Sequence, residues 1–110
     1  LFADAGAITI VPIISPFASG RQFARLIHSA NHLDFVEVHV ATPLSECEAR
    51  DTKGLYAQVR AGANIGLSGV NAPYEAPTAP DFVLCLHGES LDQCVETLLR
   101  DVLLRCGMKR

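Results

Sequence analysis

The sequence predicts an α/β fold built on a parallel sheet. Three observations carry the prediction. Runs rich in Ile, Val and Leu at 7–14, 34–41 and 82–86 alternate with segments of helical period; two of them are apolar enough for strands covered on both faces; and the connections are long enough for crossovers. All 110 residues read as one domain, with no internal repeat or low-complexity stretch.

Leu1-Phe2-Ala3-Asp4-Ala5-Gly6 reads as the last turn of a helix closed by a glycine, and with no initiator Met the expectation is a piece of a longer polypeptide. Ala7 to Ile14, AITIVPII, predicts a buried strand in which Pro12 removes one ladder donor and signals an edge or a bulge. Ser15-Pro16 ends it. Ser19 stands three residues before Gln22 in a capping-box pattern, and Phe23, Leu26, Ile27 and Ala30 give the following helix one apolar stripe. Asp34 to Ala41 alternates, with Val36, Val38 and Val40 on one face, and predicts a second strand. Thr42-Pro43 predicts a helix start, Thr as N-cap and Pro at the first helical position, running through Leu44 and Cys47 towards Arg50. Phe82 to Leu86 predicts a third strand, entered past Pro73, Pro77 and Pro80. Ser90 and Gln93 box the last helix, whose stripe is Leu91, Val95, Leu98, Leu99, Val102 and Leu103, and Gly107 stops it.

Composition excludes several function classes. A net charge of −3 with both signs interspersed offers no basic face for nucleic acid or a membrane surface. No apolar run approaches the roughly 20 residues of a membrane span. Cys47, Cys85, Cys94 and Cys106 form no CxxC pair and follow no signal peptide, so a cytoplasmic chain with reduced, partly buried thiols is expected. Among His28, His32, His39 and His87 the first two are spaced i and i+4, but no Glu lies between them and a helix end is near; no metal site is expected.

Cys47 to Pro77, CEARDTKGLYAQVRAGANIGLSGVNAPYEAP, is the stretch around which the rest is organised. Glu46, Glu48, Arg50, Asp51 and Lys53 precede a Gly-Leu-Tyr turn, Arg60-Ala61-Gly62 closes a helical piece, and Gly62, Gly66 and Gly69 populate the loop beyond. Glycines let backbone N–H groups approach a ligand while Arg or Lys supplies charge, so a substrate lid of about residues 51–76 is expected, the alternative being a solvated helix and a surface loop.

CEARDTKGLY, RAG and PYEAP, with ISPF at Ile14 to Phe17 and FADAG at Phe2 to Gly6, resemble the C-terminal two-thirds of the adenosine 5′-phosphosulfate (APS) kinase family, from about Phe2 to Leu104. The resemblance implies a P-loop-kinase-like three-layer parallel sheet, present in these residues without its N-terminal P-loop part. It implies phosphoryl transfer from MgATP to the 3′-hydroxyl of APS, giving 3′-phosphoadenosine 5′-phosphosulfate (PAPS) in sulfate activation. ATP and Mg²⁺ would belong to the parent domain, because GxxxxGK[ST] does not occur between Leu1 and Arg110 and these residues alone should hold neither. Either the chain has been cut or its nucleotide end has been lost, and a three-stranded sheet with bare apolar faces favours cutting. The remaining implied partners are the nucleotide APS or PAPS, the rest of the parent polypeptide and a homo-oligomer.

Residue by residue, the resemblance puts APS at Ile14 and Ser15 and an aromatic near its adenine at Phe17; Ser15 also matches a serine that some members carry phosphorylated. Lys53, beside Gly54 and Leu55, matches a substrate-contacting lysine, and Arg60 a lid arginine facing the transferring group. Gly66 and Leu67 fall in the lid segment against the adenine. The lid is thus expected to fold over a sulfated adenine nucleotide at the end of the Ile8–Ile14 run, where open α/β sheets place ligands. Two departures stand out. The family's SPYR-x-DR is Ser15-Pro16-Phe17-Ala18-Ser19-Gly20-Arg21 here, and its EIKGFTGID is Ala63 to Asn71, with Ile65 in place of the lysine and Leu67 in place of the adenine-stacking Phe. Loss of the ring forfeits about 1–3 kcal/mol of stacking, and loss of the cation predicts weaker phosphoryl transfer. HVATPL at His39 to Leu44 and FAR at Phe23 to Arg25 also resemble the kinase-like domain appended to some ATP sulfurylases, which leaves a non-catalytic, PAPS-binding regulatory domain as the alternative to the kinase, with assembly through the Leu91 to Leu103 face as a third.

Overall fold

The computed structural model describes residues 1–84, 90–105 and 107. In chain order the elements are α1 (Ala18–Ala30), β1 (Val38–Val40), α2 (Leu44–Arg50), α3 (Leu55–Arg60), β2 (Phe82–Leu84) and α4 (Leu91–Arg105). β1 and β2 pair in parallel, Val38 with Phe82, His39 with Val83 and Val40 with Leu84. Bonds beyond the strand ends extend the pairing: Asp81 and Phe82 N–H donate to Glu37 O at 2.9 and 3.1 Å, and Ala41 N–H to Leu84 O at 2.7 Å. The second expected strand therefore forms, shorter than the sequence suggests, and the third forms over Phe82–Leu84; Cys85 and Leu86, like His87 and Cys106, lie outside the described residues.

The first expected strand does not form. Ala7 to Ile14 belongs to no ladder, and Ile10, at 85% exposure, shows how little covers it. Apolar composition favours strand geometry, but a strand exists only through a hydrogen-bonded neighbour. No described segment stands in register with this one.

α1 opens one residue before the expected cap, so Ser19 lies within its first turn and the N-cap position falls to Phe17, whose ring accepts no hydrogen bond. The expected apolar stripe also points away from the protein: Phe23 and Leu26 are about two-thirds exposed and Ile27 is 45% exposed. The half-buried positions are Ala18, Arg21, Ala24, Arg25 and His28. This face turns inward because it meets partners there. Arg25 reaches Asp81 at 2.7 Å and lies over the Phe35 ring at 5.0 Å, and His28 packs on Phe35 with centroids 5.1 Å apart. His32 has a φ of 56° and lies beyond the helix, so it shares no helical face with His28.

Glycines close the helical turns as expected. Ala7 N–H donates to Phe2 O and Gly6 N–H to Ala3 O, both at 3.0 Å, with Gly6 at φ 85°. The same pair of bonds recurs at Gly62, φ 93°, after α3. This pattern satisfies the last carbonyls of a helical turn through a left-handed residue, a conformation only glycine adopts without strain. Gly107, φ 67°, ends α4. The reciprocal Ser90 and Gln93 bonds, 2.9 and 3.2 Å, open it. α2 starts at Leu44 with Pro43 itself in the cap position, so the expected Thr42 cap is not made.

The buried face of α4 is turned from the expected stripe: Cys94 is 2% exposed and Leu98, Val102 and Leu103 are half-buried, while Leu91, Val95 and Leu99 face solvent. Cys47 is a half-buried free thiol. The radius of gyration, 16.3 Å, exceeds the roughly 13 Å of a compact chain of this length, in keeping with so much uncovered apolar surface. No described helix is long and apolar enough to cross a membrane.

Candidate functional site

Three groups of residues make up the candidate site. The first is a cavity of about 340 Å³ lined by Cys47, Arg50, Asp51, Thr52, Lys53, Leu55 and Tyr56, at the junction of α2 and α3. Asp51 builds this junction. Its φ of 30° turns the chain out of α2, and its two carboxylate oxygens accept Tyr56 and Ala57 N–H, each at 3.0 Å. Gly54, φ 66°, then admits the chain into α3. What the motif suggested was a Gly-Leu-Tyr turn is instead the first turn of this helix, because Asp51 satisfies its orphan amides. Thr52 and Lys53 are thereby held outward at the cavity rim. Lys53 has no acidic partner among the described residues, whereas Arg50 is paired with Glu46 at 3.0 Å. Burial raises the Tyr56 phenol, with Cys47, Glu48 and Asp51 adding to the effect, so its hydroxyl stays a donor. Two cations and a protonated phenol around one opening can bind an oxyanion.

The second group is the loop Ser15–Phe17. Ser15 has a φ of 41°, a left-handed conformation that strains a non-glycine residue. Arg21 holds it there: Nη1 donates to Ser15 O at 2.7 Å and Nη2 to Glu75 O at 2.6 Å, while Nε lies 2.8 Å from Glu37 Oε1. That last contact is an ion pair without hydrogen-bond alignment, which leaves Oε1 without a bonded donor. Ile14 and Phe17 are exposed on either side. The third group is the loop after α3. Asn71 Oδ1 accepts Leu67 N–H at 2.7 Å and its Nδ2 donates to Ile65 O at 2.9 Å, so one side chain ties the turn that carries Gly66 and Leu67. Arg60 ends α3, exposed and without an acidic partner among the described residues.

Of the residues singled out in the sequence, Lys53, Gly54 and Leu55 are thus brought together at one cavity, and Ile14, Ser15 and Phe17 along one loop. No described hydrogen bond or ion pair joins these sets to each other or to Arg60, Gly66 and Leu67. Sequence reasoning missed Arg21 and Glu75, which shape the loop, and the capping role of Asp51. A Glu between prolines in PYEAP was the one available signal.

An electrostatic chain supports the site from behind: Arg21–Glu37–Arg25–Asp81–Arg105. Burial pushes the Asp81 carboxyl up, but Glu37 N–H at 2.8 Å, Arg25 and Arg105 together outweigh it and hold it at about 2.

The family model for adenylylsulphate kinase matches residues 1–85. The chain is 44% identical over 99 residues to an adenylyl-sulfate kinase of Prochlorococcus marinus, covering 90% of this chain and 48% of that protein. It is 47% identical over 109 residues to one of Phocaeicola vulgatus, covering 99% and 52%. The solved structure of Mycobacterium tuberculosis APS kinase CysC in complex with AMPPNP and APS superimposes with a TM-score of 0.82 at 42% identity, over 89% of this chain and 56% of that one. With its parallel strands and intervening helices, the fold is that of the P-loop kinases. Within that class, the chain belongs to the adenylylsulphate kinase family. It spans about half the length of the curated relatives it matches.

Proposed function

We propose that this chain supplies the sulfonucleotide-binding part of an adenylyl-sulfate kinase, the parent enzyme transferring a phosphoryl group from ATP to the 3′-hydroxyl of APS. The observation that carries the reading is the cavity at the α2–α3 junction, lined by Arg50 and by Lys53, which has no acidic partner among the described residues. There they meet sulfate or phosphate oxygens, beside Gly54 and Leu55. Ile14, Ser15 and Phe17 line the nucleoside, the Phe17 ring lying against adenine. Residues 51–76 act as the lid, Gly66 and Leu67 over the base and Arg60 towards the transferring group. The residues present do not fit MgATP: GxxxxGK[ST] is absent from the sequence, and no group of three or more His, Cys, Asp or Glu that could hold a metal occurs among the described residues. ATP and Mg²⁺ would sit on other parts of the parent, so no transfer step is assigned to this chain. Ile65 and Leu67 favour a second reading, a PAPS-binding regulatory domain without turnover.

The deciding experiment measures 3′-phosphorylation of APS by the parent protein beside calorimetric binding of APS and PAPS. Turnover supports the kinase, binding without turnover leaves the regulator, and neither removes both. Lys53→Ala is expected to weaken APS binding about tenfold, the worth of one solvent-exposed charge-assisted contact; unchanged affinity would move the anion site elsewhere. Leu67→Phe with Ile65→Lys should tighten binding, since the Asn71 bonds to this turn use only backbone atoms of 65 and 67 and survive the exchange.

A further inference from the structure

Residues 74 and 75, at the far end of the proposed lid, are fixed at two places. The Tyr74 ring stacks on His39 of β1, centroids 6.3 Å apart and planes 26° from parallel. Glu75 engages the Ser15–Phe17 loop with both its backbone and its side chain. Its N–H donates to Pro16 O at 2.8 Å, its carbonyl accepts Arg21 Nη2 at 2.6 Å, and its Oε2 accepts Ala18 N–H at 2.7 Å. Arg21 passes the restraint on to Ser15 O at 2.7 Å. One residue of the lid thus reaches Pro16 and Ala18 directly and Ser15 through a single guanidinium.

The loop cannot hold this shape unaided. Ser15 is in a left-handed conformation, Pro16 has no N–H, and Phe17 occupies the N-cap position of α1 with a side chain that accepts nothing. The acceptor that an ordinary cap residue would provide comes from 57 positions along the chain.

We propose that Glu75 is a positioning residue, a latch through which the lid and the Ser15–Phe17 loop change conformation together. A nucleotide seated on the loop then favours the latched lid, and a latched lid favours the nucleotide by the same factor, as linkage requires. The identity of the ligand rests on the nucleotide reading; the latch rests on the bonds of Glu75.

The test uses the parent protein with Glu75→Ala and Glu75→Gln, reading amide hydrogen exchange at Ala18 and across 64–76 together with calorimetric affinity for APS and PAPS. Glu75→Ala should speed exchange at Ala18 about tenfold, the loss of one hydrogen bond, and weaken nucleotide affinity by a similar factor. Glu75→Gln keeps an oxygen for the same N–H and should recover most of both. In the wild type, nucleotide should slow exchange at Ala18 and across 64–76 together, and Glu75→Ala, which removes the Ala18 bond but leaves the two backbone bonds of residue 75, should weaken that coupling. Faster exchange at Ala18 with wild-type affinity would reduce Glu75 to a helix cap and overturn the proposal, as would unchanged exchange. A wild type that binds neither nucleotide overturns the ligand reading, and exchange at Ala18 and across 64–76 then decides the latch on its own.

Discussion

Replacing Arg21 by Ala is expected to destabilise the protein by about 3 kcal/mol, the worth of the two hydrogen bonds its charged guanidinium donates to the carbonyls of Ser15 and Glu75. The Arg21 side chain is 11% exposed and the Glu37 side chain 17%, so water replaces only part of what is lost. Two carbonyls, of Ser15 and Glu75, lose their donors, and among the described residues the Glu37 carboxylate keeps only Arg25 at 3.4 Å. The half-buried Ser15 carbonyl and Glu37 carboxylate add part of their desolvation penalty. Arg21→Lys should recover little, because an ammonium cannot present three N–H groups in the planar fork that reaches all three partners. Urea denaturation at pH 7 measures the loss; a midpoint within experimental error of wild type would show that the guanidinium is not organising this region. Under the nucleotide reading, affinity for APS should fall with it, since Ser15 loses the contact that holds its strained backbone.

The second large effect is expected at Asp81. Its carboxylate is held at about 2, against 3.8 ordinarily, by Glu37 N–H, Arg25 and Arg105 acting against burial. A carboxyl whose folded pKa is depressed contributes stability that is fully present above its unfolded value and fades as pH falls from about 4 towards 2. The shift corresponds to about 2 kcal/mol. Asp81→Asn should therefore cost about 2 kcal/mol at pH 7 and close to nothing at pH 2 relative to wild type, with urea midpoints at the two pH values as the measurement. An equal penalty at both would assign the effect to shape and not to charge. The loss stays below that of Arg21→Ala because the Arg25 and Arg105 side chains are 40% and 47% exposed, and water takes up their freed donors.

Much of the local structure was legible in the residues alone. Ser90 and Gln93 box α4, Gly6, Gly62 and Gly107 close their turns, and Val38 to Val40 pairs with the apolar run at 82–84 in parallel. Each of these depends on backbone preferences or on bonds spanning a few positions, which a linear string encodes directly. The motifs CEARDTKGLY, ISPF and PYEAP carried the family, and the match over residues 1–85 agrees with them.

Other features were misread for one common reason. The stripe of Phe23, Leu26 and Ile27 is amphipathic by any count, yet Arg21, Arg25 and His28 face inward, because Glu37, Phe35 and Asp81 wait there. Ala7 to Ile14 has the composition of a strand but no described neighbour with which to form a ladder. α1 is capped not by Ser19 but by Glu75, 57 positions away, and Asp51, which looked like part of an anion loop, spends both oxygens on α3. Spacing along a chain specifies which side chains share a face, and hence helices, caps and turns. Which face turns inward, and which carboxylate reaches which amide, follows from the energy of pairing charges and backbone groups in a shared low-dielectric space, and that space comes into being only when distant segments meet.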